Sequence, residues 1–73
     1  MNDRERIGLK ISQLRQEQGL SQRDLGKLSG VTQKSIYKVE KGLFSVGLDV
    51  LCRLTEVLGY KVDIIEQNNN TQS

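Results

Sequence analysis

The sequence predicts an all-α domain of four short helices, followed by one C-terminal strand. Apolar residues recur at three- and four-residue spacings, which is the periodicity of a helix that buries one face. Capping residues such as Ser21 and Thr32 precede the apolar stretches, and glycines such as Gly30 and Gly59 follow them. The chain contains no proline that would interrupt a helix.

The first helix is predicted over residues 2–18, where Asn2 or Asp3 can cap its start. Its apolar stripe consists of Ile7, Ile11 and Leu14. Residues 21–42 then form two helices joined by a tight turn at Gly30. The side chains expected to face inward from these two helices are Leu25, Leu28, Ile36 and Val39.

The outward face of the third helix carries long donors and one aromatic ring: Gln33, Lys34, Tyr37, Lys38 and Lys41. Glutamine can bond adenine through two hydrogen bonds, and lysine can reach guanine edges or phosphates. A helix of this size fits the DNA major groove, while the preceding helix crosses the backbone. The alternative is a helical hairpin whose polar face serves only solubility.

Residues 21–42 resemble the helix-turn-helix of the XRE family, the Cro and phage-repressor type. The matching positions are Gln22, Leu25-Gly26, Gly30-Val31, Ser35-Ile36, Glu40 and Gly42. The similarity extends over residues 7–58 and implies a lambda-repressor-like bundle of four helices. The family usually has alanine at Gly26, so the glycine is expected to cost about 1 kcal/mol of helix stability.

The chemistry of the outward face predicts base contacts from Gln33, Lys34, Tyr37 and Lys38, and phosphate contacts from Arg23, Ser35 and Lys41. The resemblance adds a phosphate contact for Gln22. The resemblance also implies a partly buried ion pair between Arg15 and Glu40. The alternative is two independent surface charges that contribute little to stability.

The fourth helix is predicted over residues 48–58, after a loop in which Phe44 is expected to fill the core rather than a dimer surface. Its core stripe consists of Leu48, Leu51, Leu54 and Leu58. Val50, Cys52 and Val57 lie outside that stripe and would need a second chain to cover them. A two-fold homodimer is the simplest such arrangement.

Residues 60–66 alternate as a strand does, with Tyr60, Val62 and Ile64 on one face. Pairing with the same strand of another subunit would satisfy their backbone groups. The alternatives are an extended fourth helix or pairing with a different protein. The predicted dimerisation residues are Val50, Val57, Tyr60, Val62 and Ile64. The chain thus divides into a helix-turn-helix domain at 1–59, a dimerisation strand at 60–66 and a disordered tail at 67–73.

Composition limits the function further. The 73 residues include no histidine and a single cysteine, so no metal site, cofactor or enzymatic centre is expected. No apolar run suggests a signal peptide or membrane span, which favours a cytoplasmic protein. The predicted function is a sequence-specific transcriptional regulator that binds double-stranded DNA as a homodimer. The alternative, from a resemblance of the fourth helix and strand to HipB-like antitoxins, is a module that neutralises a partner toxin and regulates its own operon.

Overall fold

A computed structural model describes residues 1–67 and contains four helices in that part of the chain. They are α1 (Asp3–Glu17), α2 (Gln22–Ser29), α3 (Gln33–Lys41) and α4 (Leu48–Leu58). The all-α class and the four-helix bundle are confirmed, and α4 has the predicted bounds. Asn2 caps α1 as expected, since its side chain accepts a hydrogen bond from the Glu5 N–H.

The core is a single cluster of aliphatic side chains to which every helix contributes. Its buried members are Ile11, Leu14, Leu25, Val31, Ile36, Val39, Leu54 and Leu58. The helices α1 and α3 pack with their backbones in close approach, because a Cβ atom on Gly8 would clash with the carbonyl oxygen of Val39. Glycine at this position therefore fixes how deeply α3 sits against α1.

Three apolar residues expected in the core lie at the surface instead. Leu28 and Leu48 are well exposed, and Phe44 is about one-third exposed. Val31, in the turn after α2, occupies the core next to Leu25, so the short α2 buries only one leucine. Leu48 is the first residue of α4, whose buried residues, Leu54 and Leu58, lie further along the helix. Phe44 lines a surface cleft beside Ile7.

The chain leaves α4 at Gly59 and forms no strand within residues 60–67. The alternative of a longer fourth helix is therefore wrong. A strand is defined by a ladder to a second strand, and the described part of a single chain offers none. Pairing between two copies remains a prediction. The expected disordered tail falls mostly on residues 68–73, which lie outside the described residues.

Candidate nucleic-acid interface

The start of α2 is held by a reciprocal pair of hydrogen bonds. The Ser21 hydroxyl accepts from the Asp24 N–H at 2.9 Å, and the Asp24 carboxylate accepts from the Ser21 N–H at 3.0 Å. The bond from the Ser21 backbone, helped by its hydroxyl, lowers the pKa of Asp24 below its usual range. This cap fixes where α2 begins.

The turn between α2 and α3 is tightly packed. The Ser29 hydroxyl donates to the Leu25 carbonyl at 2.6 Å and accepts from the Val31 N–H at 3.2 Å. A Cβ atom on Gly26 would lie only 2.9 Å from the Val31 carbonyl oxygen. The small residue at position 26 thus allows the turn to fold back onto α2.

One face of α3 is buried against the core, and its other sides are exposed. Thr32 caps it by accepting a hydrogen bond from the Ser35 N–H at 3.1 Å. Ile36 and Val39 are buried behind the helix. All four predicted base-contact residues are exposed on its other sides: Gln33, Lys34, Tyr37 and Lys38. Lys41 lies with its ammonium 5.9 Å from the centre of the Tyr37 ring, which is cation–π range.

The predicted phosphate contacts divide into two kinds. Arg23 and Lys41 are exposed. Ser35 is half-buried, and its hydroxyl oxygen accepts from the Thr32 hydroxyl at 2.9 Å. The Gln22 amide donates to the Glu40 carboxylate at 3.0 Å, so it is held inside the protein in this structure.

Arg15 and Glu40 form the ion pair that the family resemblance implies. Arg15 Nε lies 2.6 Å from Glu40 Oε2, and Arg15 Nη2 lies 2.9 Å from Glu40 Oε1. Arg15 also donates to the Leu20 carbonyl at 2.8 Å. The side chains are only 12% and 5% exposed. The cluster thus joins α1, the α1–α2 turn and α3, and Gln22 adds α2.

The two charges of this pair stabilise each other's ionised form. Burial pushes the pKa of Glu40 upward, but the hydrogen bonds from Arg15 and Gln22 outweigh it, so the net shift is downward. The hydrogen bond to Glu40 raises the pKa of Arg15. The spacing of Gln22 and Glu40 in the sequence does not indicate this hydrogen bond. The family resemblance predicts a phosphate contact for Gln22 instead.

The exposed cations of α2 and α3 are not balanced by equally free acids. These cations are Arg23, Lys27, Lys34, Lys38 and Lys41. The two acids of the same helices are Asp24, which caps α2, and Glu40, which is paired with Arg15. The surface is therefore positively charged, as a phosphate-binding surface requires.

The predicted dimerisation residues lie in two settings. Val50 and Val57 are half-buried and pack against the core of their own chain. Tyr60, Val62 and Ile64 follow α4 and are exposed. Among residues 1–67, no cluster of three or more metal-ligating side chains occurs. No helix in this part of the chain is long and apolar enough to cross a membrane.

Comparisons with known proteins agree with this geometry. The HTH-type transcriptional regulator PuuR of Escherichia coli is 40% identical over 52 residues, which are 71% of this chain and 28% of PuuR. An uncharacterized HTH-type transcriptional regulator of Haemophilus influenzae is 41% identical over 51 residues, 70% of this chain and 52% of its own length. A putative HTH-type transcriptional regulatory protein of Pyrococcus furiosus is 38% identical over 50 residues, 68% of this chain and 16% of its own.

The chain thus spans about half or less of the length of these relatives. A helix-turn-helix family model matches residues 11–65, which contain α2, the turn, α3 and the whole ion-pair cluster. The chain therefore belongs to the helix-turn-helix family of the XRE, or Cro and phage-repressor, type.

Proposed function

We propose that this chain is a sequence-specific DNA-binding regulator of transcription that inserts α3 into the major groove. The observation that carries the proposal is the division of α3 into a buried anchor, Ile36 and Val39, and an exposed polar face. Gln33, Lys34 and Lys38 supply donors for base edges, and Tyr37 supplies an apolar edge for a thymine methyl. Arg23 and Lys41 supply phosphate contacts.

The regulator acts as a two-fold dimer in this proposal. Two copies would place their α3 helices about 34–36 Å apart, one turn of DNA, and would read a pseudo-palindrome. Cooperation of two half-sites raises affinity without new contacts per subunit. Selection from a random duplex pool gives the bound sequence. Insertion of half a helical turn between its half-sites is then expected to abolish tight binding.

Two substitutions separate base contacts from phosphate contacts, measured by fluorescence anisotropy on selected and random duplexes. Gln33→Ala is expected to lose about 1–3 kcal/mol of discrimination at one base position. Gln13→Ala makes the same chemical change at an exposed position of α1 and serves as its control. Gln33 carries no specificity if both variants keep the parent's preference.

Arg23→Ala is expected to weaken binding to all duplexes alike and to reduce the salt slope of the affinity by about 1. Arg53→Ala removes the same charge from an exposed position of α4 and is the matched control. Equal losses in both variants would mean that net charge alone governs the affinity. Absence of any salt-dependent binding by the parent chain would refute the proposed function.

An antitoxin role remains the alternative. It is favoured by the exposed isoleucines at the C-terminal end, Ile64 and Ile65, which offer an apolar surface to a second protein. Co-expression with the product of a neighbouring gene, followed by purification without DNA, tests it. A stoichiometric complex that relieves growth inhibition supports the antitoxin role, and no complex counts against it.

A further inference from the structure

The segment that follows α4, residues 60–67, lies against the helices without pairing its backbone. Tyr60 and Val62 line a mostly apolar cleft of about 240 Å³ together with Ile7, Ile11 and Leu51, and Lys61 and Asp63 lie at the same cleft. Residues 63–67 line a second cleft beside the start of α1. Within residues 1–67, no backbone group of residues 61–67 bonds to another backbone group. The Ile64 N–H donates to the carboxylate of the adjacent Asp63 at 2.7 Å, and the other backbone groups of residues 61–67 are available to pair with a second strand.

Alternate side chains of this segment differ in character. Of the three apolar side chains on one face, Tyr60 is 53% exposed, Val62 36% and Ile64 95%, so Val62 is the most buried and Ile64 is almost fully exposed. Lys61 and Asp63 lie between them, are exposed and carry opposite charges. This pattern indicates a strand with one apolar face and a second face that carries the charges of Lys61 and Asp63, followed by the exposed Ile65.

We infer that two copies of this segment pair as an antiparallel ribbon whose two-fold axis passes at Val62. The inference rests on the dimeric regulator proposed above and adds the register of its interface. An axis at Val62 sets Val62 opposite the partner's Val62, Lys61 opposite the partner's Asp63, and Tyr60 opposite the partner's Ile64. One face then carries two opposite-charge pairs, and the other carries only apolar pairs.

Neighbouring registers lack this complementarity. An axis at Asp63 would set two carboxylates directly opposite each other, and an axis at Lys61 would do the same with two ammonium groups. An axis at Ile64 would set Val62 opposite the partner's Glu66. Lys61 and Asp63 lie one residue before and one residue after Val62, so an axis at Val62 places each of them opposite the oppositely charged residue of the second copy. This charge complementarity favours a second copy of the chain over an unrelated protein.

The ribbon also accounts for the exposed apolar end of the segment. Its apolar face continues the cleft lined by Ile7 and Leu51, since Val62 already lies there. In the paired state, the partner's Ile64 lies beside Tyr60 and packs on the same apolar face. The isoleucine that is almost fully exposed in one chain thereby gains an apolar neighbour from the other.

Cysteine cross-linking in the full chain measures the register. The exposed Cys52 is first replaced by serine, so that it cannot react. In that background Val62→Cys is expected to give a disulfide-linked dimer on mild oxidation, because directly opposite Cα atoms lie about 4.5–5.5 Å apart. Ile64→Cys is expected to give none, because the two cysteines would be four positions, or about 13 Å, apart along the ribbon. The reverse result would overturn the register.

Charge exchange gives a second, independent measurement, by sedimentation equilibrium. Lys61→Asp and Asp63→Lys each convert both cross-strand pairs into like charges, and each is expected to raise the dimer dissociation constant about tenfold. The double variant is expected to return to within about threefold of the parent. Far-UV circular dichroism checks that each variant keeps its helices. A double variant no better than the single ones would refute the Lys61–Asp63 pairing.

These outcomes separate the ribbon from the proposed function. A parent chain that is monomeric at all concentrations but binds duplex DNA refutes the ribbon alone, as does a chain that pairs only with another protein. A dimer cross-linked through Val62→Cys that binds no duplex supports the ribbon and refutes the regulator.

Discussion

The buried pair of Arg15 and Glu40 makes the sharpest stability prediction. Arg15→Ala removes both guanidinium hydrogen bonds from the Glu40 carboxylate, which is 5% exposed, and leaves it the 3.0 Å bond from Gln22 and the hydroxyl of Ser12. The substitution also leaves the Leu20 carbonyl without its donor. Breaking a buried pair by removing one partner costs about 3–5 kcal/mol. We expect the lower end, about 3 kcal/mol, because water can enter the space that the arginine leaves.

Such a loss is large for a chain of this size. A domain of 60–100 residues loses about 4–8 °C of Tm per kcal/mol, so Arg15→Ala should unfold about 12–24 °C below the parent. Urea and thermal unfolding, followed by far-UV circular dichroism, measure both quantities. Arg6→Ala is a matched control in the same helix, since Arg6 pairs with Asp3 at 3.3 Å with the side chains 63% and 92% exposed. The control should lose no more than about 1 kcal/mol. Equal losses in the two variants would refute the role of burial.

The pH dependence of the same pair has a definite sign. The folded-state pKa of Glu40 is below its ordinary value of 4.5, so the ionised carboxylate stabilises the parent above that pH, and this stability is lost as the pH falls through the folded pKa. In Arg15→Ala, burial acts without the arginine and is expected to raise the pKa of Glu40 above 4.5. The difference in stability between parent and variant should therefore narrow as the pH falls, first through the raised pKa of the variant's Glu40 and then, below about pH 4.5, through the lowered pKa of the parent's Glu40. A gap that is constant down to pH 3 would contradict the ionic account.

Three further substitutions test the frame around α3, each by urea unfolding. Gly26→Ala should lower the free energy of unfolding by about 1 kcal/mol, because overpacking against the Val31 carbonyl outweighs the gain in helix propensity; a more stable variant would show that the turn can move aside. Thr32→Ala should cost about 1 kcal/mol through loss of the α3 cap, and an unchanged midpoint would refute that cap. Gly8→Ala should cost about 2 kcal/mol or more, since α1 and α3 must separate, and a parent-like midpoint would contradict their close approach.

Helix positions and the division of α3 could be predicted from the sequence because they depend on local signals. Ser21 and Thr32 cap the helices at the predicted sites, and Ile36 and Val39 are buried as their spacing indicates. Leu28 has an equally apolar side chain and similar spacing, yet it is exposed. Periodicity cannot tell which of two leucines faces the core when the helix has only eight residues.

Contacts between distant segments were less predictable. The Arg15–Glu40 pair came from the family resemblance, and nothing in the spacing indicated it. The bond from Gln22 to Glu40 and the contact at Gly8 depend on how α1, α2 and α3 approach one another. Gly26 illustrates the same limit: helix propensity alone predicts that the glycine destabilises α2, whereas the position of the Val31 carbonyl means that an alanine in this chain would force the turn to shift.

The close approach at Gly8 has a consequence for how such a protein can acquire new targets. The packing of α3 against the rest of the domain depends on Gly8, Ile36 and Val39, and none of these residues belongs to the exposed face of α3. Substitutions at Gln33, Lys34 or Lys38 leave that packing intact, since these side chains are not part of the buried cluster. If these residues bind DNA bases as we propose, the preferred sequence can change among descendants of one ancestor while the scaffold stays constant.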